Sequence, residues 1–391
     1  MKKIIMISLG LSLCAFGMSY QQFKKYTEKN AKALQSQALS LQTTQEQNNI
    51  LLRAKNPTLG LEASRFNPTQ ASSSFNYSAF VTQSIRTSNY YAGLEEKASA
   101  QTLLQNAYVQ DGKAGYMRAL EKLYTEYVYQ NKLLTLLKDE YTLSNKVTHI
   151  VKQRFDNGSE NKVAYLQAKT NSMSLKTQMY TTRQEMKRLY YQLLAIAGLT
   201  KKVSLEKKFI YSVSTQNIVN TTKNTKQQIL DAKAKLLESQ VRMNESSINS
   251  YELYGGLEDE PDQSIVRMGI NIPLPVFNTK SEEKKLAKLQ MQQLSLDNEQ
   301  LEVDLYTQKE MLKASIKELS AQYYALKALK AEQKTLTDLL QEGYEIAQGS
   351  IFVLMSAKNK RIQTQKSLLQ TQKIINNQKI ELRFIQGYYN D

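Results

Sequence analysis

The stretch VRMGINIPLPVFN, residues 266–278, decides how the rest of the chain is read. Val266, Met268, Ile270 and Ile272 alternate with Arg267, Gly269 and Asn271, the period of a strand with one apolar and one polar face. Pro273 and Pro275 then end the ladder, because proline donates no backbone hydrogen bond and holds the preceding residue extended. Asn278 to Ser281 can start a helix, and nothing interrupts a helix over 281–346. One well-formed strand therefore feeds one very long helix.

Three more strands follow from the same alternation. TLGLEASRF (58–66) sets Leu59, Leu61 and Ala63 against Gly60, Glu62 and Ser64. FNYSAFVTQ begins a strand over 75–84, with Phe75, Tyr77, Ala79 and Val81 opposite Asn76, Ser78 and Thr82. In the second half, a strand over 249–257 alternates Tyr251 and Leu253 with Ser250 and Glu252, EDEPDQ (258–263) reads as its turn, and the fourth strand covers 264–275. Each pair reads as a hairpin.

Elsewhere the chain is a helix former. Its five prolines are Pro57, Pro68, Pro261, Pro273 and Pro275, all beside the strands, and helix interiors exclude proline. The segments 88–156 and 281–346 predict helices of roughly 100 Å each, with Gly112 and Gly115 as soft points in the first. Leu305, Leu312, Leu319, Leu326 and Leu340 recur at heptad spacing, with Gln333 as the break; Leu120, Leu123, Tyr127, Leu134, Leu137 and Tyr141 follow a similar rhythm. Such spacing favours helices that wrap around one another. Gly-containing turns at 156–161 and 347–351 end the long helices, and further helices run to Gly198, a left-handed cap, and Gly387. The expected fold is mostly α with a small β part, two repeats of helix–β-hairpin–long helix–turn–helix. The first repeat is 20–199, a linker covers 200–225, and the second repeat is 226–391.

Residues 1–19 read as an export signal: Lys2 and Lys3, an apolar core too short to span a bilayer, and small Gly17 and Ser19 before Tyr20. The only cysteine, Cys14, lies inside it; Leu13 stands where a lipidation signal wants a small residue, and lipidation stays open. The net charge of +16 raises the question of nucleic acid. The lysines are interleaved with Glu and Gln on helix faces, and no nucleic-acid-binding motif accompanies them, so no nucleic-acid partner is expected. No enzyme, cofactor or metal site is expected either. The one histidine, His149, has no partners in the sequence, Glu282 and Glu283 are followed by Lys284 and Lys285, and EDEPD lacks ligand spacing.

Two hairpins leave open edges, which are costly in lipid and adhesive in water. Their alternation suits a membrane barrel, apolar side outward and polar side inward. Four strands cannot close one, so several chains would have to share it. A small soluble sheet capping a helical bundle is the other reading of the same pattern.

At this point the residues resemble a known family, the TolC-like outer-membrane efflux proteins. AKNPTLGLEAS (54–64) resembles the family's Asn-Pro approach to its first strand, and MGINIPLPVFNTKSEEKKLAKLQ (268–290) its Pro-Leu-Pro strand end and following helix. RFDNGSENKVAYLQAKT (154–170) and YEIAQGSIFVLMSAKNKRIQTQ (344–365) resemble its two periplasmic tips. The resemblance implies a homotrimer: a coiled-coil helical tunnel and a 12-stranded transmembrane β-barrel, four strands from each of three chains. It implies an outer-membrane exit duct of a Gram-negative bacterium, its helices in the periplasm, passively conducting small molecules or ions. Its partners would be outer-membrane lipid, a periplasmic adaptor and an inner-membrane pump of RND or ABC type. The duct of a type I protein secretion system uses the same fold and stays open, as does a periplasmic coiled-coil scaffold without a pore. Pro57, Pro273 and Pro275 would mark the strand-to-helix junction. Gly158, Ser159, Leu166, Ala168, Gly349, Ser350 and Ala357 would contact the adaptor. Where family members often carry carboxylates at the entrance, this chain has Val353 and Ser356; Phe352 and Met355 suggest an apolar constriction, with Tyr344 as a tether between helices. Glu62, Asn76, Glu252, Arg267 and Asn271 would face the barrel lumen, which follows from alternation once the apolar face is in lipid.

Overall fold

The structure is a computed structural model that describes residues 17–67, 69, 73–214, 223–260, 262–346 and 349–389. Most of the expected signal segment, Cys14 included, lies outside the described residues, as do Pro68, Pro261, part of the linker and residues 347–348 of the second tip.

Two helices open the chain, α1 (Tyr20–Asn30) and α2 (Lys32–Leu52), and lead into β1 (Thr58–Phe66) and β2 (Ser74–Arg86). Helix α3 (Ser88–Asp156) runs out for 69 residues, about 100 Å, and α4 (Lys162–Ile196) returns. Gly112 and Gly115 do not break α3; Gly112 instead lets Gln37 of α2 come against the helix. Beyond the linker, α5 (Thr225–Glu245), β3 (Ser250–Glu260), β4 (Gln263–Asn271), α6 (Ser281–Glu345) and α7 (Ile351–Ile385) repeat the order. Gly158, Gly198 and Gly387 take positive φ at helix ends. At Gly198, the amide of Leu199 donates to Leu194 O and that of Gly198 to Ala195 O, the paired bonds that close an α-helix on a left-handed residue. Gly349 plays no such part: a Cβ on it would lie 2.9 Å from the Tyr344 amide nitrogen, so close packing demands the glycine there.

The four strands form one antiparallel sheet in the order β1-β2-β3-β4, and the two hairpins are joined by β2 and β3. Two strand ends differ from expectation. β3 continues through the acidic run to Glu260, because Glu258, Asp259 and Glu260 each find a ladder partner on β4. β4 stops at Asn271, short of the expected 275, because Pro273 and Pro275 have no N–H to extend the ladder.

The main core lies at mid-length, where Phe23, Met117, Leu120, Tyr124, Val128 and Leu193 pack with almost no exposure. Each such side chain contributes about 1.5–3 kcal/mol by burial. A polar hub fastens the linker and C-terminus to this core. The buried Glu121 carboxylate accepts from Tyr20 Oη (2.9 Å), Tyr211 Oη (2.7 Å) and Tyr389 Oη. Burial and the adjacent carboxylate push the Tyr20 and Tyr389 hydroxyls well above the usual tyrosine range, so both remain donors. Lys379 donates to the carbonyls of Ser212 (2.8 Å) and Ser214 (2.6 Å), strapping the linker across α7.

Candidate functional site

In an antiparallel sheet, paired residues share a face and successive residues alternate. The register therefore collects Glu62, Asn76, Glu252, Arg267 and Asn271 on one face. Asn76 Nδ2 donates to Glu258 Oε1 at 3.1 Å and Arg267 Nε to Glu258 Oε2 at 2.5 Å, so Glu258, which the sequence reading assigned to a turn, is the centre of this face. Two aromatic rings lie flat on the same side. Phe80 covers Gly256 and Tyr254 covers Gly269, where a Cβ would fall 2.3 and 2.4 Å from ring atoms. Glycines at these positions keep the rings down against the sheet and out of the space in front of it.

The opposite face carries Leu59, Leu61, Phe75, Tyr77, Val81, Leu253, Leu257, Val266, Met268 and Ile270, and all ten are exposed. This inverts the arrangement of a water-soluble sheet, which buries its apolar face. No described helix is long and apolar enough to cross a membrane.

At the junction, Pro57, Pro273 and Pro275 flank the sheet's inner end. A residue that the sequence did not single out, Lys280, holds the turn into α6. It is the one described non-glycine residue with positive φ (58°). Its ammonium reaches Ser246 O (2.6 Å) and Asn249 Oδ1 at the start of β3, and its amide donates to Asn278 Oδ1 (3.0 Å). Glu282 and Glu283 occupy the first turn of α6, where the helix dipole favours acids.

At the far end, Val147, Val151, Ala164, Ala168, Tyr344, Ile351, Leu354 and Met355 form a compact tip core. Tyr344 is fixed to the first tip: the Arg154 guanidinium stacks 4.3 Å from its ring, donates to its carbonyl at 2.7 Å, and Tyr344 Oη donates to Glu160 at 3.4 Å. Met355 and Ala168 are buried in this core and Ala357 is half-buried, whereas Phe352, Val353 and Ser356 share an exposed face of α7. Gly158, Ser159, Leu166, Gly349 and Ser350 are also exposed around the tip. One turn further in, Arg361 joins three helices by donating to Glu140 of α3 (3.0 Å) and Thr337 of α6 (3.1 Å). Beside it, Lys358 is buried and bonded to Gln341 at 3.0 Å; burial, with Arg361 adjacent, lowers its pKa from 10.5 to about 8. The basic Arg154 and Arg361 were missed because nothing in a helical run marks which lysine or arginine turns inward. His149 is exposed, and among the described residues no group of three His, Cys, Asp or Glu could hold a metal.

Compared by sequence, the chain matches no family profile and no curated protein. Compared by structure, it is similar to the outer membrane protein VceC of Vibrio cholerae, with a TM-score of 0.79 and 12% identity over 94% of this chain and 95% of that one. It is similar also to the CmeC outer membrane channel of Campylobacter jejuni (TM-score 0.77, 14% identity, 94% and 85% covered). The MtrE outer membrane channel of Neisseria gonorrhoeae gives a TM-score of 0.75 at 14% identity, with 94% and 88% covered. The chain has the fold of these outer-membrane proteins. The likeness embraces the sheet, both long helix pairs and the mid-length region together, since it extends over nearly the whole chain.

Proposed function

We propose that this protein is the outer-membrane exit duct of a tripartite efflux system, passively passing small molecules or ions delivered by an inner-membrane pump through a periplasmic adaptor. The observation that carries this reading is the sheet: ten exposed apolar side chains on one face, a polar face opposite, and edge strands β1 and β4 whose outer sides pair with no strand among the described residues. Lipid accepts such an apolar face, but the open edges must close on further strands. A homotrimer closes them by pairing β1 of one chain with β4 of the next. Helix α6 supports the same assembly. Its Leu312, Ile316 and Ser320 are buried in the chain, yet Leu289, Leu296 and Val303 repeat every seven residues on its exposed side, a seam free for a neighbouring copy.

In this duct Glu62, Asn76, Glu252, Glu258, Arg267 and Asn271 line the barrel. Phe352, Val353 and Ser356 form the periplasmic constriction, which gates by excluding water from an apolar ring. The adaptor meets the exposed tip around Gly158, Ser159, Leu166, Gly349 and Ser350. Conduction needs position and charge rather than bond chemistry, so the protein acts without being an enzyme. Electron microscopy of the detergent-purified protein tests the reading. A threefold hollow tube with a helical part of about 100 Å is expected; a monomer that stays soluble without detergent would return the sheet to a mere cap on a scaffold.

A further inference from the structure

We propose that residues 272–277, between the last strand and the tunnel helix, are a lipid anchor whose side chains insert into the periplasmic leaflet of the membrane. The inference rests on the duct reading and adds a contact outside the barrel ladder. The series Val266, Met268, Ile270 continues at Ile272, Leu274 and Val276 after the ladder has ended, and Leu274, Val276 and Phe277 remain exposed, Phe277 fully so.

Height explains why these residues are needed. On β2 the apolar face runs from Phe75 to Ile85, interrupted by Gln83, about 33 Å along the strand. With strands tilted by about 40°, that covers roughly the 25 Å of a barrel's apolar band. On β4, Val266 to Ile270 covers about 13 Å along the strand, less than half of what is required. In the sequence the apolar alternation continues to Val276, where the backbone turns as the Val276 amide donates to Leu274 O at 2.9 Å.

The register gives the same answer. Ala79, Leu257 and Val266 stand in one row. On β2 the apolar series continues outward past this row to Tyr77 and Phe75, whereas on β4 it stops there, at Ser264. The outer edge of the apolar series is therefore highest on β2 and lies closer to the tunnel on its neighbours, at Ala63 on β1, Leu257 on β3 and Val266 on β4. The lower edge of the series on β4 falls on the Pro-Leu-Pro segment. Exposed Arg53 and Lys55 and the exposed ring of Tyr91 lie in the sequence close to the sheet's inner end, and exposed Glu282, Glu283 and Lys285 follow in the first turns of α6. Aromatic rings and cations beneath an apolar run are the composition of a membrane–water interface with anionic headgroups.

The chain has no tryptophan, so one introduced residue reports alone. Single variants Phe277→Trp, Leu274→Trp, Met268→Trp on the barrel face and Tyr306→Trp on α6 are compared as full chains. Each is reconstituted in phosphatidylcholine–phosphatidylglycerol vesicles with brominated acyl chains. The expected result is that Trp at 268, 274 and 277 loses most of its emission and Trp at 306 loses little. Quenching at 268 but not at 274 or 277 overturns the anchor and means that a neighbouring copy covers the segment. No quenching at 268 removes the sheet from lipid and overturns the duct reading with it.

Discussion

At the scale of single residues, two lysines bear more than their surroundings suggest. Lys280 adopts a left-handed backbone, which costs a non-glycine residue about 1–2 kcal/mol. Its ammonium offsets this by bonding Ser246 O and Asn249, each charge-assisted bond contributing about 1.5–3 kcal/mol. Lys280→Met keeps the strain and loses the bonds, so its unfolding midpoint should fall clearly; Lys280→Gly loses both and should land between it and wild type. A Met variant as stable as wild type would remove Lys280 from the junction's support. Lys358 is the opposite case. Its folded pKa of about 8 lies below the ordinary 10.5, so the folded chain binds fewer protons than the unfolded one between those values. Stability should therefore rise as pH climbs through that window, by an amount on the order of 3 kcal/mol, and below pH 8 the whole cost of the buried charge is present. Thermal unfolding at pH 7 and pH 10 should show the rise in wild type and little of it in Lys358→Met; equal slopes would mean that the ammonium finds water in the tip. Neither role was legible in the sequence. A left-handed lysine has no signature, and Lys358 stands in a run of polar residues where only packing decides which side faces inward.

At the scale of elements, the two glycines under aromatic rings make different predictions. A Cβ on Gly269 meets only the outer atoms of Tyr254, which can swing aside, so Gly269→Ala should alter stability by less than about 0.5 kcal/mol. The displaced ring would then project into the proposed lumen, and single-channel conductance should drop. A Cβ on Gly256 also meets the carbonyl oxygen of Ala79 at 2.4 Å, and backbone cannot swing. Gly256→Ala should cost about 1–3 kcal/mol, and adding Phe80→Ala should fail to restore it. Recovery by the double variant would show that the ring alone sets the clash. Most elements were legible because their signals are local. Proline-free runs marked α3 and α6 to within a residue, and period two fixed which side chains share a sheet face. What failed was what depends on a partner: acidic EDE resembled a turn until β4 supplied its ladder, and the heptad of Leu305, Leu312 and Leu319 did not announce the outer stripe of Leu289, Leu296 and Val303. Pro273 and Pro275 bound the ladder, which stops at Asn271, four residues short of the expected 275. Replacing both with Ala should let pairing run on and loosen the detergent-resistant oligomer, seen as monomer on unheated gels.

At the scale of the whole molecule, the sign of charge changes between the protein and its proposed bore. The chain carries +16 overall, with lysines spread over the helices. The polar sheet face carries Glu62, Glu252, Glu258 and Glu260 against Arg86 and Arg267, two negative charges in excess per chain. Arg267 is committed to Glu258 and Arg86 donates to Leu52 O at 3.1 Å, so neither guanidinium is free to meet a passing ion. Three copies around one axis would concentrate the excess inside a narrow, low-dielectric wall, where fields are focused rather than screened. Rings of carboxylates of this kind favour cations in pores. In planar bilayers under a salt gradient, the reversal potential should therefore show cation preference despite the protein's positive net charge. Glu62→Gln with Glu252→Gln removes the excess and should carry the reversal potential most of the way to zero, while leaving the Glu258–Arg267 pair and the sheet intact. Raising ionic strength from about 0.1 M to 1 M shrinks the Debye length from about 10 Å to 3 Å, so the preference should weaken in concentrated salt. Anion preference in the unmodified channel would move the selecting charges out of the barrel and into the lysine-rich tunnel.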